Sequence, residues 1–228
     1  MSQINAIFFD LDDTLVNSNK AEHDASIEFK RNFQEFNKMD DEYFAELWHK
    51  IASKQYERYS RKEISYEINK INRIKEMFSS INIQKEDNEA AKIFCIYLKL
   101  YEKNWKLFKD AKETLDILKS KYKIGIITNG DGNQQRKKIQ LTGLENYFSE
   151  LIISSEVNAS KPNKEIFKIA CKKIKENPEN CIMVGDNFKL DIQGAINCGL
   201  NAIWVNRKNE DIKYENQIKE LKELISTL

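Results

Sequence analysis

The run Ile4-Asn5-Ala6-Ile7-Phe8-Phe9-Asp10-Leu11-Asp12-Asp13-Thr14 decides how the rest of the chain is read. Ile4, Ala6, Ile7, Phe8 and Phe9 are almost continuously apolar, the pattern of a strand covered on both faces, as in a parallel α/β sheet. The run then breaks into three carboxylates, Asp10, Asp12 and Asp13. That is too much charge for a buried strand, so the cluster is either a site or an acidic turn. It falls at the C-terminal end of the strand, the edge along which open α/β sheets bind their ligands.

The chain changes character after Thr14. From about Asn17 to Asn104 it contains no glycine, no proline and no convincing strand. Those two residues are the strongest punctuation that loops have, so a block of this length without either predicts mostly helix. Ile27, Phe29, Phe33 and Phe36 recur at near-helical spacing. Tyr43, Phe44, Leu47, Trp48 and Ile51 do the same, as do Ile64, Ile68, Ile71, Ile74 and Phe78, and then Ile93, Ile96, Tyr97, Leu100 and Tyr101. Four amphipathic helices account for the pattern.

Beyond the block, strands and helices alternate. Asp110 and Glu113 read as an acidic cap pair opening a helix from Ala111 to Lys121. A buried strand, Lys123 to Thr128, runs into the loop Asn129-Gly130-Asp131-Gly132, and a helix follows from Asn133 to Leu141. A short strand Leu151 to Ile153 comes next, then a helix starting at Lys161-Pro162. After it come a strand Cys181 to Val184, the loop Gly185-Asp186-Asn187, a helix Leu190 to Cys198, a strand Asn201 to Val205, and a last amphipathic helix near Ile212 to Ile225. Such alternation implies βαβ units around a parallel sheet. The expected architecture is an α/β, Rossmann-like core formed by residues 1–16 and 107–228, with an all-helical cap domain, residues 17–106, inserted between its first and second strands.

Composition sets bounds. With 228 residues, 41% hydrophobic and 11% aromatic, the chain can bury a sizeable core. Its 37 basic and 36 acidic side chains leave a net charge of +1, so nothing points to a nucleic-acid polymer or an anionic membrane as partner. Cys95, Cys171, Cys181 and Cys198 are widely spaced, without a C-x-x-C or a nearby histidine pair, and read as reduced thiols of a cytoplasmic protein. The N-terminal residues lack the basic start and apolar length of a signal peptide, and no stretch reaches the roughly 18 apolar residues of a membrane span. Gly130-Asp131-Gly132 lacks the third glycine and the context of a dinucleotide fingerprint, and no P-loop sequence is present. His23 and His49 receive no role.

If the strands are parallel, four of their C-terminal ends bring polar groups to one edge: Asp10 with Asp12, Thr128 with Asn129, Lys161, and Asp186 with Asp191. Carboxylates converging without soft ligands favour a hard divalent cation, and Mg²⁺ accepts one or two carboxylates together with a phosphate oxygen and water. Lys161, Thr128 and backbone amides can hold the remaining oxygens of a phosphoryl group. Phosphoryl transfer to a carboxylate is then mostly positioning and charge neutralisation. Asp10 and Asp12 point to the same side of an extended segment but are offset along it. Asp10, near the cation and Lys161, is expected to stay ionised and attack. Asp12, crowded by that neighbouring charge, is the one expected to carry a proton, first to the leaving oxygen and then from the attacking water.

Taken one at a time, these segments are ordinary: Thr128-Asn129-Gly130 is a common turn, Lys161 beside Pro162 a solvated lysine, and Asp186 a helix cap. Together and in order, Asp10-Leu11-Asp12-Asp13-Thr14, Ile127-Thr128-Asn129-Gly130, Ser160-Lys161-Pro162-Asn163 and Val184-Gly185-Asp186-Asn187 with Asp191 resemble the four motifs of the haloacid dehalogenase superfamily. The resemblance spans the whole expected core and implies a helical cap inserted after the first motif. It implies that Asp10 is nucleophile and metal ligand, that Asp12 is the acid/base and binds Mg²⁺ through its backbone carbonyl, and that Asp186 completes the metal site. Thr128 and the backbone of Asn129 would hold phosphate, Lys161 would neutralise it, Asp191 would orient Lys161 or a metal-bound water, and Thr14 would brace the first loop.

Asp12 separates this pattern from the dehalogenase branch, which lacks that acid because a halide needs no proton. The segments from Gln140 to Phe148 and from Asp191 to Leu200 are similar to those of bacterial nucleotidases acting on pyrimidine nucleoside monophosphates. The expected activity is Mg²⁺-dependent hydrolysis of a small soluble phosphomonoester, such as a nucleoside 5′-monophosphate. Two alternatives share the same residues: a sugar phosphomutase or other phosphotransferase, and a receiver-like module that accepts phosphate on Asp10 without turnover. Receiver modules are about half this size and have no such insertion.

Overall fold

The computed structural model describes residues 3–228, so Met1 and Ser2, part of the expected core segment 1–16, lie outside the described residues. The chain divides into two compact units: one runs to Asn17 and resumes over Lys106–Leu228, and the other is Ser18–Trp105.

The first unit opens with β1 (Ala6–Phe9), all four of whose side chains are fully buried. The second unit holds α1 (Ser18–Lys30), α2 (Asp41–Ser60), α3 (Tyr66–Ser79) and α4 (Asp87–Lys103). The chain then returns through α5 (Ala111–Leu118), β2 (Lys123–Thr128), α6 (Gly132–Leu141), β3 (Glu150–Ile153), α7 (Ser154–Val157) and α8 (Lys164–Ile174). It finishes with β4 (Cys181–Gly185), a π-helical turn Phe188–Gln193, α9 (Gly194–Ile196), β5 (Asn201–Val205), β6 (Gln217–Ile218) and α10 (Leu224–Thr227).

Six parallel strands form one sheet in the order β3-β2-β1-β4-β5-β6. From β1 the chain builds outward through β2 and β3, then crosses to β1's other side for β4, β5 and β6. The reversal opens a crevice between the C-terminal ends of β1 and β4, the switch point where such sheets bind ligands. Register depends on close packing at the centre. Phe8 lies between Gly125 and Met183, and a Cβ on Gly125 would sit 2.9 Å from the Phe8 ring. Phe8, Ile127, Ile166, Phe167, Met183 and Trp204 belong to one buried cluster that fixes the strands laterally.

The helical unit has its own core, built largely of aromatics: Trp48 and Tyr97 have ring centroids 4.2 Å apart, Phe36 and Phe78 4.9 Å, and Phe29 and Trp48 5.3 Å. Four helices form where four were expected, but the first ends earlier. Phe33 and Phe36 lie beyond α1, Phe36 at the end of a short 3-10 turn that Phe33 precedes, and Asp40 then caps the next helix by accepting from Glu42 N and Tyr43 N. Tyr43, Ile68 and Ile96 lie on exposed positions rather than on the buried stripe.

Four expectations are corrected in the sheet-containing unit. The helix after Lys161-Pro162 begins only at Lys164, where Asn163 caps it, leaving Lys161 in the preceding loop. Asp110 makes no side-chain cap for α5; its carboxylate instead pairs with Arg207 at 3.0 Å and accepts from Leu221 N at 2.6 Å. The segment from Leu190 to Cys198 is a π-helical turn followed by the short α9. The final helix from Ile212 to Ile225 does not form. Gln217 and Ile218 instead pair with Trp204 and Val205, covering the open edge of β5, and a capping box between Glu220 and Glu223 starts a new short turn. Ile218, Leu221 and Leu224 are buried at a spacing that imitates one helical stripe.

Candidate active site

Asp10 is the first residue past β1, its N–H donating to Val184 O at 2.9 Å. The chain then turns sharply: Asp13 takes a left-handed conformation with φ of 57°, which aspartate tolerates better than most residues, and its N–H donates to Val16 O at 2.7 Å. Leu15 N and Val16 N both return to Leu11 O, while Leu11, Leu15 and Val16 are fully buried and anchor the loop. Thr14, also fully buried, accepts from Asp186 N at 3.0 Å, and its hydroxyl lies 3.5 Å from a carboxylate oxygen of Asp10 and of Asp186. One side chain therefore ties the end of β1 to the end of β4.

Lys161 crosses this crevice. Its Nζ is 2.5 Å from Asp10 Oδ1 and 2.6 Å from Asp191 Oδ1. The backbone that carries it is gripped by Asn129, whose side chain accepts from Lys161 N at 2.9 Å and donates to Lys161 O at 3.1 Å. Asp191, in the π-helical turn, accepts from Asn187 N at 3.0 Å. It lies so close behind β4 that a Cβ on Gly185 would overlap its carboxylate, so glycine is required there. Trp204, on β5, donates its indole N–H to Asp186 O at 2.8 Å and fixes the next turn.

Carboxylate oxygens of Asp10, Asp186 and Asp191 all lie within 4.8 Å of one another. Three acids facing one buried ammonium leave the cluster short of positive charge. Burial pushes the Asp10 carboxyl well above the usual carboxylate range; Lys161 pulls it back, while Asp191 and Asp186 add to the rise. Burial, followed by Asp191 and Asp13, pushes Asp186 up to about 7, against the opposing pull of Lys161 and Lys208. Burial alone would lower Lys161, but Asp10 and Asp191 outweigh it and keep it charged. The oxygens, the absence of His or Cys from the group, and the deficit of positive charge suit a hard divalent cation.

Of the residues expected at the site, Asp10, Thr14, Lys161, Asp186 and Asp191 converge directly. Thr128, Asn129 and Asp12 form an adjoining set. Asp12 is surrounded differently from the sequence expectation: its carboxylate turns to α6, where Oδ2 accepts from Gln135 Nε2 at 2.7 Å and Oδ1 meets the Lys138 ammonium. The same Gln135 nitrogen donates to Thr128 Oγ1 at 2.8 Å and reaches Asn129 O at 3.2 Å. Neither Gln135 nor Lys138 stands out in the sequence, because an isolated Gln or Lys on a helix is usually solvated. One signal was available: α6 has few apolar residues, so stepping back from Ile139 by helical spacing forces polar residues onto its buried face.

A parallel sheet whose switch point carries a buried aspartate, a lysine and two further aspartates defines an α/β protein with an acidic centre at its ligand-binding edge. Residues 4–199 match the family of haloacid dehalogenase-like hydrolases, and the chain belongs to that family. It is 29% identical to the N-acylneuraminate-9-phosphatase of Homo sapiens over 215 residues, covering 91% of this chain and 84% of that protein. The Mus musculus enzyme of the same name is 30% identical over 220 residues, with the same coverage. The pyrimidine 5′-nucleotidase YjjG of Escherichia coli is 42% identical over 103 residues, 44% of this chain and 45% of that protein. The fold matches the HAD-hydrolase YfnB of Bacillus subtilis, crystallised bound to magnesium, with a TM-score of 0.85 at 21% identity, covering 100% of this chain and 99% of that one. The chain is thus an enzyme of the HAD phosphatase type. Among the described residues, no helix is long and apolar enough to cross a membrane.

Proposed function

We propose that this enzyme is a Mg²⁺-dependent phosphomonoester hydrolase that works through an aspartyl-phosphate on Asp10. The observation that carries the reading is Lys161 bridging Asp10 and Asp191 with Asp186 beside them, a buried centre that has excess negative charge. Asp10, Asp186 and the backbone carbonyl of Asp12 would hold Mg²⁺, which when bound supplies the positive charge that screens these carboxylates and a phosphoryl oxygen from one another.

In the first half-reaction a carboxylate oxygen of Asp10 attacks phosphorus as the bond to the ester oxygen breaks, and Asp12 gives a proton to the leaving alkoxide. In the second, water attacks the phosphorus of the aspartyl-phosphate, Asp12 takes its proton, and the bond to Asp10 breaks to release inorganic phosphate. Lys161, the Thr128 hydroxyl and the Asn129 backbone orient the phosphoryl oxygens, and Asp191 keeps Lys161 in line.

For the substrate, we propose a small soluble phosphate ester, with two classes to be compared first. A nucleoside 5′-monophosphate is favoured by the higher identity to the nucleotidase, over less than half of the chain. A phosphorylated sugar acid is favoured by the N-acylneuraminate-9-phosphatases, whose similarity covers most of both chains. The test is phosphate release with Mg²⁺ from a panel of both classes. Turnover that stops in Asp10→Asn is the expected result. Transfer of the phosphoryl group to a second substrate molecule without phosphate release would indicate a phosphotransferase, and retained turnover in Asp10→Asn would refute the nucleophile.

A further inference from the structure

We infer that Gln135 and Lys138, on one face of α6, are positioning residues that fix the carboxylate of Asp12 and couple it to the Thr128–Asn129 loop. The inference rests on the reading of Asp12 as the proton carrier and adds a device that the family's four motifs do not contain.

Lys138 is 1% exposed. Lysine is almost never fully buried unless its ammonium is paired, because desolvating an isolated charge is expensive. Here the ammonium meets Asp12 Oδ1. The Asp12 side chain is 33% exposed, so the lysine end of the pair is the desolvated one, and removing the carboxylate would take from that buried ammonium the partner that faces it. Packing alone would be served better by leucine or methionine on this face.

Gln135 holds the other oxygen. Its amide, 2% exposed, has two N–H groups for three acceptors: Asp12 Oδ2 at 2.7 Å, Thr128 Oγ1 at 2.8 Å and Asn129 O at 3.2 Å. Its Oε1 is buried without a hydrogen-bond partner. Leaving a buried acceptor unsatisfied costs free energy, so the amide is oriented for what its nitrogen does at the expense of its oxygen. With Oδ1 on Lys138 and Oδ2 on Gln135, rotation of the Asp12 carboxylate is arrested. Because the nitrogen has more acceptors than hydrogens, any change in what Thr128 accepts alters its bond to Asp12. Occupancy of the phosphate loop is thereby communicated to the proton carrier.

A proton is needed to expel an alkoxide but not a dinitrophenolate, so leaving-group dependence separates positioning of Asp12 from general support of the fold. The full-length enzyme with Mg²⁺ is assayed on glycerol 2-phosphate and on 2,4-dinitrophenyl phosphate, in wild type, Lys138→Met and Gln135→Leu. In each variant the loss in kcat/KM on the alkyl ester should exceed the loss on the aryl ester by at least about tenfold, within the usual contribution of general acid catalysis. Phosphoenzyme, read by intact mass after rapid quench of the aryl-ester reaction, should accumulate above the wild-type level, because attack of water needs the same carboxylate.

Losses that are equal on the two esters, or no rise in phosphoenzyme, would overturn the inference. If Lys138→Met does not fold, Gln135→Leu, which removes no charge, carries the same test. A wild-type enzyme that releases phosphate neither from these esters nor from any nucleotide or sugar-acid phosphate of the panel refutes the hydrolase reading itself, whereas an active wild type with equal losses, on these esters or on a panel alkyl ester set against the aryl one, refutes only the positioning role.

Discussion

At the scale of single residues, the centre is shaped by an imbalance of charge. An unfolded aspartate titrates near ~3.9, whereas burial and its neighbours push folded Asp186 up to about 7. Between those values the folded state binds the proton that the unfolded state has released, so stability falls as pH rises through the window and is retained below it. Asp10, also raised, acts in the same direction. The metal-free protein should therefore melt at a lower temperature at about pH 7.5 than at about pH 5, and added Mg²⁺ should raise Tm more at the higher pH. A Mg²⁺ shift independent of pH in calorimetry would contradict this. Gly185→Ala tests the geometry behind the acids: the new Cβ meets the Asp191 carboxylate, so a loss of about 1–3 kcal/mol in urea unfolding is expected, together with lowered phosphatase activity. Asp10 and Asp186 were legible in the sequence because polar residues at the end of an apolar strand are conspicuous, whereas Lys161, in a loop well beyond β3, stood out only through its order among the other motifs. Gln135 and Lys138 were not legible, since their burial depends on which face of α6 meets the Asp10–Thr14 loop.

At the scale of elements, β1 is both the centre of the sheet and the support of the loop that carries Asp10. Its side chains are completely buried, and Phe8 packs over Gly125 in the neighbouring strand. Phe8→Ala should cost about 3–5 kcal/mol in denaturant unfolding, with little change in the Mg²⁺ requirement of the folded fraction. A loss below about 1 kcal/mol would mean that the cavity closes by collapse. Strands β1, β2, β4 and β5 were legible because they are short apolar runs ending in loop residues. The C-terminal segment was not, since Ile218, Leu221 and Leu224 repeat at helical spacing. What makes Gln217 and Ile218 a strand is the unpaired edge of β5, a tertiary feature. Asp110 likewise carries a capping signature, and Arg207 and Leu221, distant in sequence, take its carboxylate away.

At the scale of the whole molecule, the glycine-free and proline-free block coincides with a compact unit, Ser18–Trp105, most of which is taken up by four helices. Each unit has a buried core of its own, one around Phe8 and Trp204, the other around Phe29, Trp48 and Tyr97. Separate cores favour separable unfolding. Phe8→Ala and Trp48→Ala should shift different phases of a calorimetric trace, and a single transition displaced alike by both would show one cooperative unit instead. In the proposed mechanism phosphate passes through Asp10. Rapid-quench peptide mapping of the full enzyme, turning over a phosphomonoester with Mg²⁺, tests it most directly. The expected result is a phosphoryl group on Asp10 that appears and decays at rates consistent with phosphate release. Turnover with no phosphoenzyme, or with the phosphoryl group on another residue, would contradict it.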